Sequence, residues 1–303
     1  MNINIKKITT EGRNTNTLDI DRVSTKEIII KLNNEDKTVA YAVEKAIDQI
    51  AVCVDAVYEV FMNDGRLIYM GAGTSGRIGL IDAVECKPTY GVSPEMVQCL
   101  MAGGMGAMVQ AVEGAEDSKI FAVEDLKRIN LTSNDIVIGI AASGRTPYVI
   151  GGIEYAKSIG AKTASISTSA NTILSSLVDY PIEAVTGAEP ITGSTRMKSG
   201  TAQKMICNMI STASMIKMGK VYQNLMIDVQ ATNEKLVARS ISIIKEITGL
   251  DDIEAKNAHE KYGSVKKAIF GVLANIETEE VENILNKHKG NIRKALQEVG
   301  IND

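Results

Sequence analysis

Two loops rich in glycine and hydroxyl side chains carry the clearest chemical signal in the chain. Gly71-Ala72-Gly73-Thr74-Ser75-Gly76-Arg77 follows the apolar run Leu67-Ile68-Tyr69-Met70, and Ser143-Gly144-Arg145-Thr146-Pro147 follows Ile136-Val137-Ile138-Gly139-Ile140-Ala141-Ala142. An apolar run, then glycine with serine or threonine, then a helical pattern presents backbone N–H groups and hydroxyls to an anion. Finding it twice implies a phosphorylated ligand at the carboxyl edge of a parallel sheet. A third stretch, Gly187-Ala188-Glu189-Pro190-Ile191-Thr192-Gly193-Ser194-Thr195-Arg196-Met197-Lys198, puts hydroxyls and cations on the first turn of a long helical pattern. Two readings of it stay open: a further anion site at a helix N-terminus, or simple N-capping by Ser194 or Thr195.

Acid–base groups come next. Glu85 falls near the end of the helix that opens in the first loop, and Glu116 lies in Val112-Glu113-Gly114-Ala115-Glu116-Asp117, where three acids surround a glycine. A single glutamate is ordinarily a solvated surface charge. These two stand out by their attachment to a phosphate loop and to stretches of small residues. Both histidines, His259 and His288, lie near the C-terminus, so acid–base work around the loops falls to carboxylate, lysine or tyrosine. Cys53, Cys86, Cys99 and Cys207 stand apart with no metal-ligand spacing and read as small buried hydrophobes. No metal site and no cofactor are expected. Residues 71–76 match the Gly-x-Gly-x-x-Gly dinucleotide pattern, but the next strand ends Leu100-Met101-Ala102-Gly103-Gly104 without the acid that would hold a ribose. The lysine of a nucleotide-triphosphate loop is missing as well.

These loops need a scaffold. With 303 residues, 45% hydrophobic and 23% charged, the chain has room for one large α/β domain and something smaller. A net charge of -4, no Trp and only three Phe argue against a nucleic-acid surface. No apolar run is long enough to span a bilayer, and the opening residues carry no secretory h-region, so no membrane partner and a cytoplasmic location are expected.

Apolar spacing predicts a helix from Glu35 to about Met62, a strand over Arg66–Met70 and a helix over Ser75–Cys86 ended by Lys87-Pro88. A strand over Met96–Met101, helices through Gly104–Asn130, a strand over Asp135–Ala142 and a helix over Pro147–Ile159 follow. Thr163–Thr168 and Tyr180–Ala184 read as strands, and a long helix runs from Ser194 to about Met218. The alternation implies a mostly parallel sheet flanked by helices. Past Gly249, Asp251–Tyr262, Val265–Asn275, Thr278–Lys289 and Asn291–Val299 read as short amphipathic helices. The expected division is 1–248, the main domain with an N-terminal helical extension, and 249–303, a small helical bundle.

Taken together these strings resemble the sugar isomerase (SIS) domain family of phosphosugar-binding proteins and, within it, the branch of N-acetylmuramic acid 6-phosphate etherases. The resemblance rests on Thr10-Glu11-Gly12-Arg13-Asn14, Asp19-Ile20-Asp21-Arg22-Val23-Ser24-Thr25, both loops, Asp82-Ala83-Val84-Glu85-Cys86 and Glu113-Gly114-Ala115-Glu116-Asp117-Ser118, together with residues 193–204 and Ala231-Thr232-Asn233-Glu234-Lys235-Leu236. Glucokinase regulatory protein is similar but larger. The sequence departs from the branch at Val84 and Lys87, where Ser and Pro are common, and at Met105, where Glu is common.

The resemblance implies a lyase that cleaves the D-lactyl ether by elimination and then hydration, with no metal and no cofactor. It implies Glu85 as the acid at the ether oxygen and Glu116 as the second acid–base carboxylate, favoured as the base at carbon 2. It implies phosphate contacts from Ser75, Ser143, Gly144 and Thr146, helped by Thr74 and by Ser194 or Thr195. Gly73, Arg145, Glu189, Lys198 and Lys235 complete the expected binding set, with loop amides, Lys198 or Lys235 as donors to the enolate. A homodimer is implied, in which Asn233-Glu234-Lys235 serves its own or the partner's site. A phosphosugar sensor or a sugar-phosphate isomerase of the same fold are the alternatives, and lactate release separates them from the lyase.

Overall fold

The structure, a computed structural model, describes residues 9–110, 112, 114–229 and 234–301. The first helix, α1 (Thr25–Glu44), begins at a capping box in which Ser24 and Glu27 satisfy each other's backbone N–H groups. A break at Lys45–Ala46 separates it from α2 (Ile47–Met62), so the single helix expected to start at Glu35 is two, and the first begins earlier. Next come β1 (Leu67–Gly71), α3 (Gly73–Tyr90) and β2 (Val97–Met101). Helix α3 continues through Pro88 to Tyr90 rather than stopping at Cys86. Tyr90 is buried and its hydroxyl donates to Thr212 Oγ1, which offsets the backbone hydrogen bond that proline cannot make.

The expected helices over 104–130 shrink to two 3₁₀ turns, Met105–Met108 and Ala115–Asp117, followed by α4 (Lys119–Arg128). Gly103, Gly104 and Gly114 all take positive φ there, which interrupts a helix. Then follow β3 (Ile136–Ile140), α5 (Pro147–Ser158), β4 (Lys162–Ser167), α6 (Ile173–Leu177), β5 (Tyr180–Glu183) and α7 (Lys198–Lys217). The five strands pair in the order β2-β1-β3-β4-β5, every pair parallel, with Tyr69 in register with both Cys99 and Ile138. Strand order reverses between β1 and β3, so the loops that follow these two strands diverge and leave a crevice at the sheet's carboxyl edge. These are the two glycine-hydroxyl loops.

One compact unit comprises the chain up to Val84 together with Pro94–Ser211. Its sheet buries Ile68, Met70 and Val137 against Leu126 of α4 and Tyr148, Val149 and Ile153 of α5. At the sheet's amino edge Arg66 clamps Asp135, with Nη2 to Oδ2 at 2.7 Å and Nε to Oδ1 at 3.0 Å. Burial works to raise the Asp135 pKa, but hydrogen bonds from Arg66 and the Thr132 amide hold it below the usual carboxylate range.

The other unit comprises Glu85–Ser93 and the chain from Thr212 onward. It contains the hairpin β6 (Val221–Tyr222) and β7 (Leu225–Met226), then α8 (Glu234–Thr248), α9 (Asp252–Tyr262), α10 (Val265–Ala274), α11 (Thr278–Lys287) and α12 (Ile292–Glu298). The four terminal helices fall where the apolar spacing puts them. They do not form a core by themselves: Ile243 and Ile244 of α8 share one apolar cluster with Phe270, Val281, Leu285 and Leu296. The helical tail thus shares its compact unit with Glu85–Ser93 and with the chain from Thr212 onward.

Candidate active site

The first loop is shaped by close backbone approach. A Cβ at Gly71 would lie 2.6 Å from the Gly76 nitrogen, and one at Gly76 would lie 2.8 Å from the Gly71 oxygen, so strand end and helix start touch only as glycines. Helix α7 packs beside this loop: a Cβ at Gly200 would meet Thr74 Cγ2 at 3.4 Å, and Ser75 Oγ donates to Gln203 Oε1 at 3.0 Å. Further along, Asp82 of α3 accepts from Tyr69, Asn208 and Ser211, tying β1 and α7 to the same helix. Burial pushes the Asp82 pKa up even though those hydrogen bonds oppose the shift.

The second loop turns at Gly144, which has φ of 63° and whose Cβ would fall 2.3 Å from Thr172 Cβ. The Gly144 carbonyl also accepts from the Leu174 amide, fixing the loop to the start of α6.

A cavity of about 490 Å³ opens between the loops, lined by Gly73, Thr74, Ser75, Ser143, Arg145, Thr146, Glu116 and Thr195 among others. A smaller one of about 260 Å³ shares Ala72, Gly73 and Glu116 with it and continues along Arg77, Met101 and Val112. Arg77 is committed to structure, since Nη2 and Nε donate to the Ala107 and Met108 carbonyls at 2.7 and 3.0 Å. That holds the 3₁₀ turn after β2 as a wall of the smaller cavity. Glu116 is exposed and stands in the 3₁₀ turn entered through Gly114, whose φ of 73° reverses the chain. Asp117 lines the larger cavity beside it, and Glu113 lies outside the described residues.

Other expected site residues go elsewhere. Glu189 is fully buried: Oε2 accepts from the Lys198 amide at 2.9 Å, and Oε1 from the Ser199 amide and hydroxyl at 2.9 and 2.7 Å. The N-terminus of α7 is thus capped by the chain's own carboxylate, and neither of the two readings of that segment describes it. The Lys198 ammonium is buried too and donates to Glu35 Oε2 at 2.8 Å and to the Ala188 carbonyl at 3.2 Å. Glu35 also accepts from Asn14 and Asn16 at 2.7 and 2.8 Å. Burial acts to raise its pKa, yet these donors hold it below the ordinary range. Ser194 is partly exposed and does not line either cavity, whereas Thr195 lines the larger one. Glu85 and Lys235 are both exposed and belong to the other unit; the linings of the two cavities do not include them. Asn233 lies outside the described residues.

Thr10 and Glu11, like Asp117, line the larger cavity although none of them was among the expected site residues. Thr10 is fully buried with its hydroxyl unpartnered among the described residues, and the Glu11 carboxylate sits 3.2 Å from where a Gly193 Cβ would be. The segment is anchored by Asn14 Nδ2 to the Ala188 carbonyl and by Thr17 Oγ1 to the Pro190 carbonyl at 2.8 Å. Its only local signal was the motif Thr10-Glu11-Gly12-Arg13-Asn14 itself.

Among the described residues no group of three or more His, Cys, Asp and Glu side chains is arranged to hold a metal ion, and no helix is long and apolar enough to cross a membrane.

Family models agree with this architecture. That of the glucokinase regulatory protein N-terminal SIS domain matches residues 49–157, and that of the SIS domain matches residues 109–213. Among solved structures the chain is similar to the phosphoheptose isomerase GmhA from Neisseria gonorrhoeae, with TM-score 0.49, 13% identity and coverage of 63% of this chain and 98% of that one. It is likewise similar to a phosphoheptose isomerase from Francisella tularensis, with TM-score 0.47, 16% identity and coverage of 63% and 100%. Sequence relatives are far nearer. An N-acetylmuramic acid 6-phosphate etherase of Clostridium beijerinckii is 54% identical over 298 residues, 98% of each chain. One from Clostridium botulinum Eklund 17B is 55% identical over 296 residues, 97% of this chain and 98% of that one. At that identity over nearly the whole of both chains, the chain belongs to the family of N-acetylmuramic acid 6-phosphate etherases.

Proposed function

We propose that the cavity between the two loops holds N-acetylmuramic acid 6-phosphate, and that the protein is a carbon–oxygen lyase releasing D-lactate from it. One observation carries the reading: both hydroxyl-rich loops and Glu116 line the same cavity of about 490 Å³. Ser75, Ser143 and Thr146 hydroxyls, with amides of the Gly73 and Gly144 turns, receive the phosphate, and Thr74, Arg145 and Thr195 flank it. Such a cradle fixes one end of the open-chain sugar and sets carbons 2 and 3 toward the acid–base wall.

The chemistry follows from there. The aldehyde at carbon 1 acidifies the hydrogen on carbon 2, and Glu116 removes it. The electron pair left behind forms the bond between carbons 2 and 3 as the bond from carbon 3 to the ether oxygen breaks. Glu85 delivers a proton to that departing oxygen, and D-lactate leaves. Water then adds across the unsaturated aldehyde and gives N-acetylglucosamine 6-phosphate. Each positioned acid or base contributes ~100- to 10,000-fold. The developing enolate takes its donor from loop amides; Lys198 is engaged with Glu35. The enzyme works in the cytoplasm as a homodimer in amino-sugar catabolism and cell-wall recycling.

Incubation with N-acetylmuramic acid 6-phosphate in ¹⁸O-water tests the reaction. Lactate release with label at carbon 3 supports elimination and hydration; lactate without label refutes that course, and binding without lactate makes the protein a sensor. Glu116→Gln and Glu85→Gln should each bind N-acetylglucosamine 6-phosphate yet release lactate at least ~100-fold more slowly. Mixing the two variants then reports which copy supplies Glu85. Restored activity means a site assembled from two chains, and none means both glutamates act within one.

A further inference from the structure

We infer that Gln203 is a positioning residue that sets which way the Ser75 hydroxyl directs its proton, and so switches the first loop between resting and phosphate-holding states. The inference rests on the phosphate cradle proposed above. Gln203 stands on α7 and is 1% exposed. Its Oε1 accepts the Ser75 proton at 3.0 Å, while its Nε2 is buried with no hydrogen-bond partner among the described residues. An orphaned buried amide donor is uncommon and costly, and this one belongs to the side chain that touches a cradle hydroxyl.

A hydroxyl has one proton. With that proton committed to Gln203, Ser75 can offer the cavity only lone pairs, which a phosphate monoester dianion repels. Rotation of the Gln203 amide about its last side-chain bond, a broad and roughly two-fold torsion, exchanges Oε1 and Nε2. The nitrogen then donates to Ser75 Oγ and the Ser75 proton is free for the phosphate. The resulting chain, amide N–H to hydroxyl O–H to phosphate oxygen, is one in which each hydrogen bond polarises the next. In this state the orphan is a carbonyl oxygen, which tolerates missing partners better than an N–H. Glutamine suits the position because it carries both a donor and an acceptor; glutamate, equal in shape, only accepts.

The test is a double-mutant cycle. Gln203→Glu and Gln203→Leu are each made in the wild-type and Ser75→Ala backgrounds. The readouts are calorimetric affinity for N-acetylglucosamine 6-phosphate, kcat and KM for lactate release, and thermal melting to confirm folding. Gln203→Glu, which grips the Ser75 proton with a charged acceptor, should weaken binding about 10- to 100-fold, and Gln203→Leu about 3- to 10-fold. Both losses should appear in KM with kcat within about twofold, the mark of lost uniform binding. Both should disappear in the Ser75→Ala background. Should Gln203→Glu fail to fold, the Gln203→Leu cycle still decides. Wild-type affinity in the variants, or equal losses with and without the Ser75 hydroxyl, overturns the inference alone. No binding by the wild-type protein overturns the cradle and the inference with it.

Discussion

Replacing Lys198 by Met separates two roles that this lysine can have. Its ammonium is buried with Glu35, the side chains being 5% and 6% exposed, at 2.8 Å. Removing it leaves the Glu35 carboxylate in a site out of water with, among the described residues, only Asn14 and Asn16 as donors. Breaking one partner of a buried pair typically costs about 3–5 kcal/mol, and the two amides that remain argue for about 3. The loss depends on pH in a definite direction. Glu35 has its folded pKa lowered, so its contribution is present above the unfolded value of about 4.3 and vanishes as pH falls through the folded one. Urea unfolding at pH 7 should therefore show a clear drop in stability, shrinking below about pH 4. Adding Glu35→Leu should recover much of it, since apolar replacement of both partners is often neutral or stabilising. Turnover by the folded variant should stay within a few-fold, because the ammonium faces Glu35 and Ala188. An unchanged urea midpoint together with a loss of ~100-fold or more in kcat would mean that Lys198 stabilises the enolate after all.

Three further outcomes are expected. Gly144→Ala puts a side chain at φ of 63° and against Thr172, so urea unfolding should show a loss of at least about 1–3 kcal/mol and calorimetry a loss of phosphosugar binding. Binding retained at full strength would show that the loop rearranges freely. Glu11→Ala should raise KM about tenfold or more while leaving affinity for inorganic phosphate unchanged, because a carboxylate in this wall can only accept from neutral hydroxyl or amide donors of the sugar. Cys53 and Cys99, both pushed up to about 12 by burial, should resist iodoacetamide at pH 8 as followed by intact mass, since only about one thiol in ten thousand is ionised there.

The pattern of strands was legible because parallel strands buried on both faces read as apolar runs; β1 and β3 are buried at every position. The two anion loops were legible for a related reason, as the glycines that let Gly71 approach Gly76 must be adjacent in sequence to the strand they terminate. What escaped was long-range. Asn14 meets Ala188 across 174 residues, and Lys198 meets Glu35 across 163. Neither pairing leaves a period or a local motif, so Lys198 and Glu189 read as members of the binding set. The earlier start of α1 was different, because Ser24 and Glu27 spell a capping box that the apolar spacing alone passes over. Pro88 misled by rule: its missing N–H suggests a helix end, but burial of Tyr90 keeps one more turn.

Glu189 carries a consequence for how quickly a ligand finds the cavity. By covering the positive end of α7 with an internal carboxylate, the protein cancels a field that would otherwise draw anions in from a distance. With a net charge of -4 besides, the molecule offers a doubly charged sugar no long-range attraction, and capture depends on short-range fit once the sugar has arrived. Encounter rates should then be ordinary and should hold steady, or rise slightly, as ionic strength increases, the opposite of an electrostatically steered enzyme.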